Sequence, residues 1–222
     1  MARPATDADR ALVLFPDIMG LRPLFFELSD RLAAEHGWAV AALELWPGQE
    51  DLPLEERRQR VGALDDDRFM ADAAAAADVL DVEPTAVLGF CMGGMLAFKA
   101  ASLDRFDRAV SCYGMVRVPD QWRSPSMVDP IDGLREGGEA CAAKVLAVFG
   151  TADPYVPPGD AEDLEATGAT VVRYEGAEHG FIHDPSRPVH RPADAADAWK
   201  RIGAWLAVGP AGPPSDLGRS RS

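Results

Sequence analysis

Short apolar runs alternate with longer amphipathic ones from residue 11 to about residue 206, and this alternation constrains the fold more than any other feature. Residues 11–15, 38–43, 85–90, 108–113, 144–149 and 170–174 read as strands, several of them apolar throughout. Between them, Leu24, Leu28 and Leu32 recur every four residues over 23–36, with Gly37 as a stop. Helices are also expected over 69–80, 92–103, 160–165 and 193–206. A polar, arginine-rich stretch spans 49–68, and Pro119, Pro125, Pro130, Gly133, Gly137 and Gly138 mark the segment between the fourth and fifth strands as loop. Strand, helix, strand in repetition implies the α/β class: a mostly parallel sheet with helices on both faces. Right-handed crossovers then line the strand C-termini along one edge, where sites in such sheets form. One domain is expected over 1–208, followed by a disordered Gly/Pro/Ser/Arg tail over 209–222.

Composition narrows the function classes. A chain of 222 residues buries about 70% of its extended surface and needs no staple to fold. Its net charge of −14, from 36 acids against 22 bases, repels a phosphate backbone, so no nucleic-acid partner is expected. Cys91, Cys112 and Cys141 are odd in number and widely spaced, which fits a reducing cytoplasm rather than a disulfide framework. No stretch approaches the ~18 apolar residues of a membrane span, and the N-terminus lacks a signal-peptide core. A soluble cytoplasmic protein without a membrane partner is expected; the sequence sets no oligomeric state.

The sharpest chemical feature is Gly89-Phe90-Cys91-Met92-Gly93-Gly94, between a strand and a helix. It is a G-x-nucleophile-x-G elbow with cysteine in the centre. So tight a turn leaves no room for side chains at Gly89 and Gly93, and it seats Cys91 at a helix N-terminus, where the dipole favours a thiolate. A thiolate needs a base and an orienter, and chain order in this architecture is nucleophile, acid, histidine. Asp153 follows the fifth strand and His179 the sixth, both on the same edge as Cys91. Asp153 before Pro154 could instead close a turn, and His179 could be a surface histidine. His36 and His190 follow no strand and are expected in solvent. His183 stands four residues after His179, but Gly180 and Pro185 make that segment a loop, so no metal site and no cofactor is expected. Trp46, Tyr113, Met115 and Trp122 are candidates for an apolar pocket and equally for core packing. Glu44 is a further acid on this edge, with a structural role equally open.

The chain resembles the dienelactone hydrolases of the α/β-hydrolase superfamily over residues 11–206. The resemblance rests on G-F-C-M-G-G, G-x-x-D-x-x-V-P and A-E-H-G-F, with Asp17-Ile-Met-Gly20 and Ala195-Ala-Asp-Ala-Trp199 in support. It implies an α/β-hydrolase fold and a small-molecule ester, lactone or thioester substrate. It makes Cys91 the nucleophile, His179 the base and Asp153 its orienter, with backbone N–H of Met92 and Ile18 as the oxyanion hole. The family's glutamate that contacts the resting cysteine is matched by Asp17, one methylene shorter. Its substrate-binding arginine four residues after the histidine is matched by His183. Arg57, Arg58, Arg60 and Arg68 are alternative cations, most of them expected on a solvated helix face. Two other readings compete: a non-hydrolytic α/β protein using Cys91 as a redox-sensing or ligand-holding thiol, and a flavodoxin-like nucleotide binder, which Asp17 after the first strand disfavours.

Overall fold

The computed structural model describes residues 1–208; the tail expected over 209–222 lies outside the described residues. Six strands form the sheet: β1 (Arg10–Phe15), β2 (Trp38–Ala42), β3 (Thr85–Phe90), β4 (Arg108–Cys112), β5 (Val145–Gly150) and β6 (Thr170–Tyr174). Their order is β2-β1-β3-β4-β5-β6, and every neighbouring pair is parallel. The period-2 alternation of a strand explains why these runs are apolar throughout: both faces are covered. In β1, Val13 and Phe15 point into one core while Leu12 and Leu14 point into the other.

One face is covered by α1 (Pro23–His36) and α8 (Pro192–Ala207), which contribute Phe25, Leu32, Ile202 and Trp205. The other is covered by α3 (Asp66–Leu80) and α4 (Met92–Ala100), together with buried residues of α5 (Pro130–Glu136) and α7 (Pro158–Glu165). The chain leaves β1 toward β2 on one side and returns to β3 on the other. The loops after β1 and β3 therefore flank the point where strand order reverses, which opens a crevice at the strand ends.

Two segments and three side chains differ from the sequence reading. The stretch 49–68 contains α2 (Leu54–Arg60), and the expected loop before β5 holds α5 and α6 (Gly138–Ala142). Pro130 opens α5 rather than breaking it, because proline at the first helical position removes an N–H that has no partner there anyway. Arg57 is not on a solvated face. Its guanidinium is buried against Trp46 and donates to the carbonyls of Leu52, Glu50 and Ile18. His36 and His190 are half-buried rather than solvated, and the ring of His36 stacks on Trp38 at 4.3 Å.

Candidate active site

Cys91 stands between the end of β3 and the first residue of α4, with φ 55° and ψ −119°. A non-glycine residue rarely adopts that conformation, and both neighbours hold it there. Its N–H donates to Cys112 O and its carbonyl accepts from Met95, each at 3.0 Å. The flanking glycines are required by contact. A Cβ on Gly89 would lie 1.9 Å from Gly93 O, and one on Gly93 would lie 2.1 Å from Pro16 O. The second approach sets the loop after β1 directly against the first turn of α4. Among the described residues, the N–H groups of Ile18 and Met92 have no protein acceptor.

His179 reaches the same edge from the loop after β6. Its Nδ1 lies 2.7 Å from Asp153 Oδ2, and the Asp153 side chain is fully buried, with Oδ1 accepting the N–H of Tyr155 at 2.8 Å. The carboxylate accepts, so Nδ1 carries the proton and Nε2 is left to face Cys91. Nε2 is buried without an aligned hydrogen bond, while the adjacent Cys91 sulfur still acts on the ring electrostatically. Burial alone would lower the imidazole pKa; the Asp153 hydrogen bond and the neighbouring Cys91 outweigh it and push the value up to about 10. Tyr113 and Tyr155 hold the ring from two sides, edge-on at centroid distances of 5.1 and 4.8 Å.

A second polar cluster lies beside the first. Asp17 Oδ1 accepts from Met19 N at 2.9 Å and from Arg22 at 2.7 Å, while Oδ2 accepts from Arg22 at 2.8 Å and from His183 Nε2 at 3.0 Å. Burial would raise the Asp17 pKa, but His183 and Arg22 hold it well below the usual carboxylate range. The other His183 nitrogen, Nδ1, meets the hydroxyl of Tyr113. A cavity of about 560 Å³ opens over Cys91 and His179, its walls including Ile18, Met115, Trp122 and Tyr155, with Arg58 and Arg187 also contributing.

The dienelactone hydrolase family model matches residues 1–208, and thus nearly the whole chain. The chain belongs to the dienelactone hydrolase family. Among curated relatives of this family member, the carboxymethylenebutenolidase of Rhodococcus opacus is 29% identical, covering 88% of this chain and 80% of its own. Carboxymethylenebutenolidase 2 of Cupriavidus pinatubonensis is 27% identical over 92% and 87% of the two chains. A solved structure of a candidate dienelactone hydrolase from Klebsiella pneumoniae superposes with a TM-score of 0.79 at 25% identity, over 92% of this chain and 90% of that one. The α/β-hydrolase fold and hydrolase class follow.

Against that background the dienelactone hydrolase member gathers some of the residues singled out from its sequence and disperses others. Cys91, Asp153 and His179 meet at one edge, and Met115 and Trp122 line the cavity beside them. Trp46 does not line it: the indole is buried and donates to Ile18 O at 2.7 Å, bracing the loop from behind. Tyr113 is buried as the wall behind His179. Glu44 is structural, accepting the N–H groups of Leu21 at 2.9 Å and Trp46 at 2.7 Å. Asp17 is turned toward Arg22 and His183, with both oxygens occupied, rather than toward Cys91. Tyr155, Arg22 and Arg187 were not legible as site residues; only the position of Tyr155, two residues beyond Asp153, offered a signal. Among the described residues no cluster of His, Cys, Asp and Glu is arranged to hold a metal ion, and no helix is long and apolar enough to cross a membrane.

Proposed function

We propose that this protein hydrolyses a carboxylic ester or lactone through Cys91 as nucleophile, His179 as general base and Asp153 as its orienter. The observation that carries the reading is the Asp153–His179 hydrogen bond beside a left-handed Cys91 at the end of β3, under an open cavity. His179 takes the proton of the Cys91 thiol, leaving a thiolate beside an imidazolium. The thiolate attacks the carbonyl carbon, and the oxyanion that forms takes hydrogen bonds from the N–H groups of Met92 and Ile18. Collapse breaks the C–O bond, the imidazolium gives its proton to the leaving oxygen, and an acyl thioester remains on Cys91. His179, now neutral, takes a proton from water, whose oxygen attacks the thioester; release of the acid restores the thiolate and imidazolium. In a lactone the leaving oxygen stays tethered, so the product is the ring-opened hydroxy acid.

The relatives named carboxymethylenebutenolidase make a lactone the first substrate to try, and three free cysteines suit a reducing cytoplasm. A sensor thiol is less well supported. The backbone of Cys112 adjoins Cys91, but its own thiol is fully buried and pushed far up in pKa by that burial, so it cannot readily act as a resolving partner. Steady-state assays on activated esters and simple lactones test the proposal. Cys91→Ala and His179→Ala should each lose at least about 10³-fold in kcat/KM. Equal turnover by wild type and Cys91→Ala would overturn it.

A further inference from the structure

The His183 ring is a fully enclosed polar group near the elbow. Its side chain has no exposure and packs against two aromatic rings that also touch each other, Phe25 at 5.7 Å and Phe90 at 5.0 Å, the latter immediately preceding Cys91. Both nitrogens are occupied. Asp17 is held as a carboxylate by Arg22, so it can only accept, and Nε2 of His183 must carry the hydrogen of their 3.0 Å bond. Burial lowers the pKa of His183, which keeps the ring neutral, so Nδ1 presents a lone pair and the Tyr113 hydroxyl donates to it.

We infer that His183 is a positioning residue: its two nitrogens tie the loop that carries Ile18 to Tyr113, the ring against which His179 rests. The inference builds on the role proposed above for Ile18 and His179. Asp17 shapes the Ile18 loop from both sides, since its carboxylate accepts Met19 N–H at 2.9 Å and its backbone carbonyl accepts Gly20 N–H at 2.9 Å. Tyr113 is set just as narrowly. It sits at φ 42°, follows the residue whose carbonyl holds the Cys91 N–H, and presents its ring to His179 at 5.1 Å. His183 thus joins the loops after β1, β4 and β6 while stacking on the residue before the nucleophile. An arginine could pair with Asp17, but it has no lone pair for Tyr113; a neutral imidazole serves both. A ring with no exposed surface acts through the groups it ties. It keeps an oxyanion donor and the base in register, a geometry whose loss is felt in turnover.

The test compares His183→Phe, which keeps an aromatic ring against Phe25 and Phe90 but offers no polar atom, with His183→Gln, whose amide can donate to Asp17 and accept from Tyr113. For His183→Phe we expect kcat to fall about 10-fold or more with KM within about 3-fold, since a fully removed oxyanion donor costs about 10²–10³. Affinity for a trifluoromethyl ketone, whose adduct places an oxyanion in the hole, should fall in parallel. Amide hydrogen exchange at Met19 and Gly20 should speed up in His183→Phe and stay unchanged in β4. His183→Gln should restore most of each value. Equal losses in the two variants, or a kcat loss without faster exchange at Met19 and Gly20, would overturn the inference. If the wild type turned over no ester or lactone while those amides still responded to His183→Phe and not to His183→Gln, the proposed reaction would fall and the tie would stand.

Discussion

Two opposing effects meet at His179: burial favours the neutral ring, and Asp153 with Cys91 favours the cation. The second wins, with a pKa of about 10 against an ordinary 6.5. A raised folded-state pKa contributes stability that is complete below pH 6.5 and is lost as pH climbs through about 10. Asp153→Asn should therefore narrow its stability gap from wild type as pH is raised across that window, which thermal melts at pH 6 and pH 9.5 would read. The His179 ring resonances should titrate at lower pH in the variant, and kcat should fall by about 10²–10⁴, because an amide can stabilise the wrong tautomer. The three residues of this arrangement were legible in the sequence because each follows a strand that ends on one edge. The Asp17, Arg22 and His183 cluster was not. Its decisive bond spans 166 residues, and no local pattern marks two side chains that meet across the strand ends.

At the scale of elements, α4 carries the elbow on one end and a buried ion pair near the other. Lys99 Nζ lies 2.6 and 2.7 Å from the two oxygens of Asp66, at the start of α3, and Asp66 also accepts the Val128 N–H at 2.9 Å. That pair locks α4 to α3 and to the segment leading into α5. Lys99→Ala should cost about 3–5 kcal/mol, because it leaves an unpaired buried charge rather than merely deleting an attraction. In a chain of this size the melting temperature should drop by roughly 6–20 °C. Adding Asp66→Asn to Lys99→Met should recover most of that loss, since the amide oxygen still accepts from Val128. Helices with a plain period, such as α1 and α8, could be read from spacing alone. The short α5 and α6 could not, since they are spliced from proline and glycine positions that also describe loops, and only the burial of Ile131, Leu134 and Cys141 makes them helical.

For the molecule as a whole, a parallel sheet wrapped on both faces was legible because both faces are apolar, and the strand order places the crevice between β1 and β3. The course of the cavity walls was not, since they come from loops whose shape depends on distant partners such as Trp46 and Arg57. The same wrapping sorts the thiols. Cys112 and Cys141 are sealed in the cores, while Cys91 alone is partly open. The fold thus carries a built-in gauge of its own integrity. Timed labelling with an alkylating reagent should mark one thiol per native molecule at once and three after denaturation. The slow arrival of the second and third labels under native conditions would then clock how often the layers over the sheet come apart.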